Sequence, residues 1–424
     1  MASRPNILKI VKYYCLLNAE LDRQGRPLSE WKRSSLKRII AYNLYKRLVS
    51  HAKLRAALLS RRRIRRWHVR PIFRDRKLYG AWFTLIPIMR QSDPEEFYRF
   101  LRMTPACFDW LLNKVQPYIQ KKSNRVSVSA GERLAVTLRY LASGDSQTSL
   151  SYLFRLSNQA ISKIVTETTA AIWYKFPMRG SEFYNYKGTH SIILFAVADA
   201  KYKFIVADAG ARGREGDSGV FSRSDFGKLF LDQKLALPPS VYNHTLKCYL
   251  PYVFVGDGAF PLNEHLLKPY EPGKKKDLKD EEVIFNYRLS RARRVVENSF
   301  GILSARFRIL RHNSIASETL AQNIILSTCA LHNLHLIRED SLPPQKKVYL
   351  PPGFTDSYRS NGVFKAGRWR KKVPTLENTI FRNLMNAEES CPSADSDPHH
   401  PALVRDNFMD LFLVKSLPWQ WKHL

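Results

Sequence analysis

From Asp93 to about Trp173, apolar residues recur at every third or fourth position, the period of helices that bury one face. Asp93-Pro94-Glu95-Glu96 opens the first such stretch. Asp93 suits the N-cap, Pro94 the first turn, and the two acids the positive end of the dipole, ahead of Phe97, Phe100 and Leu101. A second helix is predicted over Ala130 to Ala142, with Leu134, Leu138 and Leu141 on its buried stripe and Gly144 as its stop. A short helix from Ser149 to Arg155, a turn at Leu156-Ser157-Asn158 and a longer helix from Gln159 to about Trp173 follow. Ser157 can cap the second of these. Ile161, Ile164 and Val165 would face inward, and Gln159, Ser162, Lys163 and Thr166 outward. That layout fits a helix-turn-helix whose second helix can enter a major groove, and it fits an ordinary helical hairpin too.

The pattern changes after Gly180. Ser191 to Ala198 and Tyr202 to Ala207 are β-rich runs joined by the polar turn Asp199-Ala200-Lys201, which predicts a hairpin. A Gly-rich loop precedes a helix expected from Val220 to Gln233, and Tyr252 to Val255 reads as a third strand bounded by Gly256-Asp257. A basic amphipathic helix is predicted from Phe285 to Leu310, and a strongly apolar one from Thr319 to Ile337. Pro, Ser and charged residues dominate from Glu339 to about His400, as in a linker. A last helix covers about Ala402 to Leu413. The class is α+β, dominated by helices. The organisation predicted is a basic arm over 1–92, a helical domain over 93–176, a mixed domain over 180–338, a linker over 339–400 and a C-terminal helix and tail over 401–424.

Charge adds a partner to this picture. The 424 residues carry 69 Lys and Arg against 37 Asp and Glu, a net +32. Such a surplus favours polyanions, because neutralising phosphates releases condensed counterions. Residues 1–80 hold 22 basic and four acidic side chains, +18 of that net charge, and Arg61, Arg62, Arg63, Arg65 and Arg66 form the densest run. The run reads as a solvated arm, a DNA contact or a nuclear import signal. The five cysteines, Cys15, Cys107, Cys248, Cys329 and Cys391, are scattered without a CxxC pair. That argues against a zinc cage or a disulfide framework and fits a reducing compartment. No apolar run reaches 18 residues, so no membrane partner is expected.

Two acids stand where phosphodiester chemistry would want them. Hydrolysis by two divalent ions needs carboxylates that hold the ions roughly 4 Å apart. Asp257 follows the Tyr252–Val255 strand directly, at a sheet edge. Glu297 lies on the basic helix between Val295, Val296 and Phe300, an apolar setting for an acid. The plain alternative for Glu297 is an ion pair within the helix, to Arg293 or Arg294.

The wording of these segments is specific. PYVFVGDGAFPLNEHLLKPY, then EEVIFNYRLSRARRVVENSFGILSARFRIL, then CALHNL resemble the core of the PIF/Harbinger transposases and their domesticated nuclease relatives. GSEFYNYKGTHSIILFAVADAKYKF, GREGDSGVF, the upstream RLAVTLRYLASGDSQTSLSYLFRLSNQAISKIV and the downstream YLPPGF and GRWR match the same family. The resemblance runs from about Pro94 to Leu424, with little over residues 1–80. It implies an RNase H-like (DDE) core with an Asp, Asp, Glu triad and divalent metal, Mg²⁺ or Mn²⁺, behind a helical DNA-binding region. Asp257 would be the second triad member and Glu297 the third. It also implies DNA as partner, a separate Myb/SANT-like protein that assists binding and nuclear entry, and a nuclear location, or a cytoplasmic one without that partner. Ser157, Asn158, Gln159, Ser162, Lys163, the arginines from Arg61 to Arg66, and Arg291, Arg293 and Arg294 are the expected DNA contacts.

The family's first Asp sits in an Ala-Ile-Asp-Gly motif shortly before the NYKG-type motif. Here the run is AAIWYKFPMRGSEFYNYKG, Ala170 to Gly188, and it holds no Asp. The first core strand and its carboxylate are therefore missing, and the hairpin and the Tyr252–Val255 strand should still share one sheet under the basic helix. Asp199, Asp208 or Asp217 could stand in, Asp217 best because it lies in the family's own loop motif. The resulting expectation is a transposase-derived DNA-binding protein with weakened metal binding and impaired cutting. The alternatives are an active nuclease with a substitute carboxylate, or a domesticated chromatin or transcription factor.

Overall fold

A computed structural model of the chain describes residues 69–121, 127–176, 192–212, 217–272, 277–311, 317–372 and 400–423, with 49–54 and a few single positions before them. Two compact units emerge, Met1–Arg70 and Pro71–Leu424. In the first, the described residues 49–54 are helical, and the arginine run Arg61 to Arg66 lies outside the described residues. The arm predicted over 1–92 therefore ends at Arg70. Beyond it Ala81, Ile86 and Met89 are already buried in the core of the second unit, because their apolar side chains find the same helices as the residues that follow.

The second unit opens with eight helices: α1 Pro71–Arg74, α2 Arg76–Tyr79, α3 Leu85–Ser92, α4 Pro94–Leu101, α5 Pro105–Ile119, α6 Ala130–Ser143, α7 Gln147–Phe154 and α8 Asn158–Lys175. Side-chain caps set most of their starts. Asp93 accepts from the Glu96 amide, Ser129 from Glu132, Ser146 from Ser149 and Ser157 from Ala160. Gly144 ends α6 at φ 72°, where a Cβ would be strained. Arg155 turns the corner between α7 and α8 in the same left-handed region, at φ 54°.

A hairpin follows, β1 Ile192–Ala198 against β2 Phe204–Arg212. Two short helices come next, α9 Asp217–Arg223 and α10 Asp225–Leu231. The sequence predicts one helix there; Ser224 divides it by donating to the Phe221 carbonyl and capping the Gly227 amide. Short ladders β3 Val241–Asn243 with β4 Cys248–Leu250, and β5 Phe254–Val255 with β6 Leu266–Leu267, complete the middle. Then come α11 Asp280–Arg306 and α12 Glu318–Glu339, the ladder β7 Ser357–Tyr358 with β8 Phe364–Lys365, α13 Arg368–Lys372 and α14 Pro401–Val414.

The expectation of one sheet fails. Among the described residues the hairpin and β5 belong to separate two-stranded ladders, and β5 pairs with β6 in parallel. What joins them is apolar: Phe195, Val206, Phe221, Phe226, Phe230, Phe254 and Leu266 form one cluster. Among the described residues the facing elements share side chains instead of a ladder. Residues 177–191, where the family's missing strand would begin, lie outside the described residues.

The predicted boundary between a helical and a mixed domain also disappears. Leu134, Ile161 and Ile172 share a core cluster with Phe204, Leu303, Ile324 and Leu331. Helix α8 packs on α12, α5, α6 and α7 together. The segment read as a linker is packed as far as Lys372. Tyr349, Phe354 and Trp369 are buried against Ile302, Ala305 and Leu336, and the Glu339 carboxylate accepts the amides of Val348, Tyr349 and Leu350. Residues 373–399 lie outside the described residues.

Helix α12 carries two buried histidines. His332 accepts from the Tyr349 hydroxyl at Nδ1 and donates from Nε2 to the Tyr202 carbonyl, both at 2.8 Å. The neutral ring satisfies both partners, and burial holds it down to about 4. His335 stacks on Tyr349 at 4.5 Å; burial first, then Arg306, holds it down to about 3. Folded values below the ordinary 6.5 mean that stability is complete above pH 6.5 and falls as the unfolded chain takes up protons below it, by about 1.4 kcal/mol per pH unit per ring. Glu132 pulls the other way, since burial raises it to about 7 despite Arg76 at 3.8 Å. We therefore expect His335→Phe, which keeps the stack, to flatten the loss of stability between pH 6.5 and 4 relative to wild type in urea melts. Parallel curves would contradict a buried neutral ring.

Candidate active site

Asp257 leaves β5 through Gly256, whose amide donates to the Leu267 carbonyl at 2.9 Å. A Cβ at Gly256 would lie 3.0 Å from the Phe260 ring, so the ring would have to give by a few tenths of an ångström. Asp257 Oδ1 accepts the Ala259 amide at 3.1 Å, which shapes the loop, and Oδ2 faces Arg293 of α11 at 3.5 Å. The Asp257 side chain is only 15% exposed.

Glu297 lies one turn beyond Arg293 on α11, and residues four apart on a helix are neighbours. The pair Asp257–Arg293 ties the turn after β5 to α11. Neither intrahelical partner considered for Glu297 is used: Arg293 turns to Asp257, and Arg294 donates to the Tyr358 hydroxyl. Glu297 instead faces Arg370 at 3.9 Å. Arg370 is itself bound side-on by Asp356, from Nε at 2.9 Å and Nη2 at 2.7 Å, and Asp356 is fully buried. Asp356 also accepts the Gly367 amide, and Asn298 Oδ1 receives the Asp356 amide and the Trp369 indole. So the C-terminal GRWR stretch holds a cation over Glu297. Sequence reasoning noted GRWR as a family word but not this use of Arg370 and Asp356. The one available signal was an arginine repeated within a conspicuous aromatic motif.

The substitutes offered for a third acid are differently placed. Asp199 is spent on its own turn, accepting the Lys201 and Lys203 amides at 2.9 Å with Lys203 Nζ at 3.5 Å. Asp208 lies on β2 opposite Phe195; burial first, then Asp225, raises its carboxyl above the ordinary range. Asp217 begins α9, and its side chain lies outside the described residues. No group of three or more His, Cys, Asp or Glu that could hold a metal occurs among the described residues.

The expected DNA contacts divide in two. At the start of α8, Ser157, Asn158, Gln159 and Lys163 are exposed and Ser162 is half-buried, while Ile161, Ile164 and Val165 are buried as predicted. On α11 every arginine has company. Arg293 pairs with Asp257, and the Arg291 and Arg294 guanidinium groups lie 3.8 and 5.0 Å from the Tyr358 ring centre.

A family model described as DDE superfamily endonuclease matches residues 165–333, which contain both Asp257 and Glu297. Over that segment the chain is similar to the DDE superfamily endonucleases. A protein of Arabidopsis thaliana named "Protein ALP1-like" is 26% identical over 315 residues, 63% of this chain and 74% of that protein. No solved structure matches. The matched segment begins within α8, so in this chain the matched region and the helices before it share one core. No helix of the described residues is long and apolar enough to cross a membrane.

The buried Asp356 makes the C-terminal clamp testable. Removing Arg370 strands an ionised carboxylate in the interior, which typically costs about 3–5 kcal/mol. Arg370→Ala should therefore destabilise far more than Glu297→Gln, whose half-exposed pair is worth about 1 kcal/mol or less. Equal shifts in the urea midpoint would show that Arg370 serves Glu297 and not Asp356.

Proposed function

We propose that this chain is a transposase-derived DNA-binding protein that keeps two acids of an ancestral DDE site and has lost efficient cutting. The observation that carries the proposal is that no Asp occurs from Ala170 to Gly188, while Asp257 and Glu297 each face an arginine. The separate ladders joined by phenylalanines are, in this reading, the remains of an RNase H-like sheet around its absent strand.

DDE enzymes use divalent metal ions, and the residues here fit a two-metal site poorly. Two carboxylates accompanied by two guanidinium groups have little net charge to offer. At a protein surface, unit charges ~4 Å apart interact by about 4 kcal/mol, and a divalent ion beside Arg293 or Arg370 meets twice that as repulsion. The first Asp of the family would have tipped this balance. Mg²⁺ or Mn²⁺ therefore binds weakly here. DNA binding rests instead on the net +32, on the exposed first turn of α8 and on the arm with Arg61, Arg62, Arg63, Arg65 and Arg66. A nuclear location and a Myb/SANT-like partner accompany the reading, as in the family.

Two measurements test it. Replacing the five arm arginines by Gln should flatten the slope of log affinity for duplex DNA against log salt by up to about 4.5, at roughly 0.9 per phosphate contact. An unchanged slope would remove the arm from the interface. With Mg²⁺ or Mn²⁺ the unmodified chain should cleave DNA at least about a thousandfold more slowly than a complete DDE site, the cost of about 4 kcal/mol in the transition state. Robust metal-dependent cleavage abolished by Asp257→Ala would overturn the proposal, with Asp217 the next acid to replace.

A further inference from the structure

Next to Glu297, α11 presents a second surface built from different chemistry. Tyr287, Arg291 and Arg294 recur at spacings of four and three, so they share one side of the helix, and Arg294 is one turn before Glu297. Over this side lie the β7–β8 hairpin and the C-terminal tail. Together they enclose a cavity of about 350 Å³ lined by Tyr287, Arg294, Tyr358, Gly362, Phe364 and Trp419, among others. That size falls at the small end of the ~300–1,000 Å³ of ligand pockets.

Three features ask for an anionic, flat, polar ligand. First, Arg288, Arg291 and Arg294 form no ion pair with any described carboxylate; their guanidinium groups rest on rings instead, Arg288 4.7 Å from Phe412, Arg291 3.8 Å from Tyr358 and Arg294 4.6 Å from Phe364. Burial, and Arg291 after it, lowers the Arg288 pKa, so the cluster already carries uncompensated charge. Second, Phe364 stays 44% exposed beside Arg294 and Tyr358, and its neighbour Val363 is 50% exposed, an apolar rim open to solvent. Third, the Trp419 indole N–H is buried without an acceptor. Gly362, at φ 80°, admits this indole against its backbone, where a Cβ would meet the ring at 2.1 Å.

We infer that this cradle takes an unpaired nucleobase of single-stranded DNA, stacked on Phe364 and Tyr358, with the flanking phosphates on Arg291 and Arg294. The inference rests on the DNA-binding reading above and names its substrate more closely. Every base has a face to stack and ring or carbonyl acceptors for an indole N–H, and rings interleaved with arginines are the usual platform for single strands. A duplex could not use the cavity without unstacking a base. Set one turn from Glu297, the cradle would hold a strand beside the two acids.

The test uses the full chain with a single-stranded 20-mer, the same sugar–phosphate strand abasic at every position, and the matching duplex. Wild type should bind the intact strand roughly tenfold more tightly than the abasic one, as base–ring stacking predicts. Phe364→Ala should weaken the intact strand by about tenfold, leave the abasic strand and the duplex unchanged, and keep the salt slope. Arg294→Gln should weaken both single strands and lower their slope by about 0.7. Phe364→Ala that is folded by circular dichroism and still prefers the intact strand as wild type does would overturn the inference while leaving DNA binding in place. Failure of the wild type to bind any of the three DNAs at low salt would overturn the DNA-binding reading, and this inference with it.

Discussion

Helix α12 holds the second unit together because its polar side chains satisfy the backbone of whatever packs on it. Its apolar positions, Leu320, Ile324, Cys329 and Leu331, are buried among α8, the hairpin and α11. Burying a helix so deeply would leave the edges of its neighbours without hydrogen-bond partners. Asn333 removes that penalty at β2, accepting the Phe204 amide at 2.9 Å and donating to the Phe204 carbonyl at 2.7 Å. His332 does the same for Tyr202, and Glu339 for three consecutive amides after Lys347. The CALHNL segment is thus a connector, and its polar letters are where the hairpin and the C-terminal segment are attached.

That attachment matters most at the hairpin. Among the described residues β1 and β2 pair only with each other, and a lone two-stranded ladder is marginal in water. Here it is held by side chains: Phe204 lies between Phe300 of α11 and His332 of α12, at 5.5 and 5.0 Å, and Phe195 enters the phenylalanine cluster with α9 and α10. Apolar packing tolerates the change of partner because it is non-directional. A hydrogen-bond ladder does not, since each amide needs a partner in register. Among the described residues the ladders are consequently separate while the core is continuous.

The site shows the same division. Asp257 is presented by the turn after β5 and Glu297 by α11. Arg293 and Arg370 supply the opposite charges, and Arg370 is aligned by the buried Asp356. Two acids neutralised in this way are compatible with a protein that grips DNA. They are poorly suited to concentrating divalent ions.

Much of the local structure was legible in the chain itself. The caps at Asp93 and Ser157, the glycine stop at Gly144, the hairpin turn around Asp199 and the inward face of α8 follow from spacings of two to four residues and from side chains that reach their own backbone. The motif words likewise located Asp257 and Glu297 and exposed the absence of an Asp before Gly188. What tertiary structure alone decided was partnership across long separations. Nothing near Glu297 in the sequence points to Arg370, 73 residues later, nor does Pro/Ser-rich composition reveal that Tyr349, Phe354 and Trp369 would bury themselves against α11 and α12. Ser224 split a predicted helix because its hydroxyl competed for local backbone groups, an outcome close to balance in the sequence. The difference is physical: periodicity and capping are settled within one turn of chain, whereas ion pairs and core contacts depend on which surfaces the whole fold brings together.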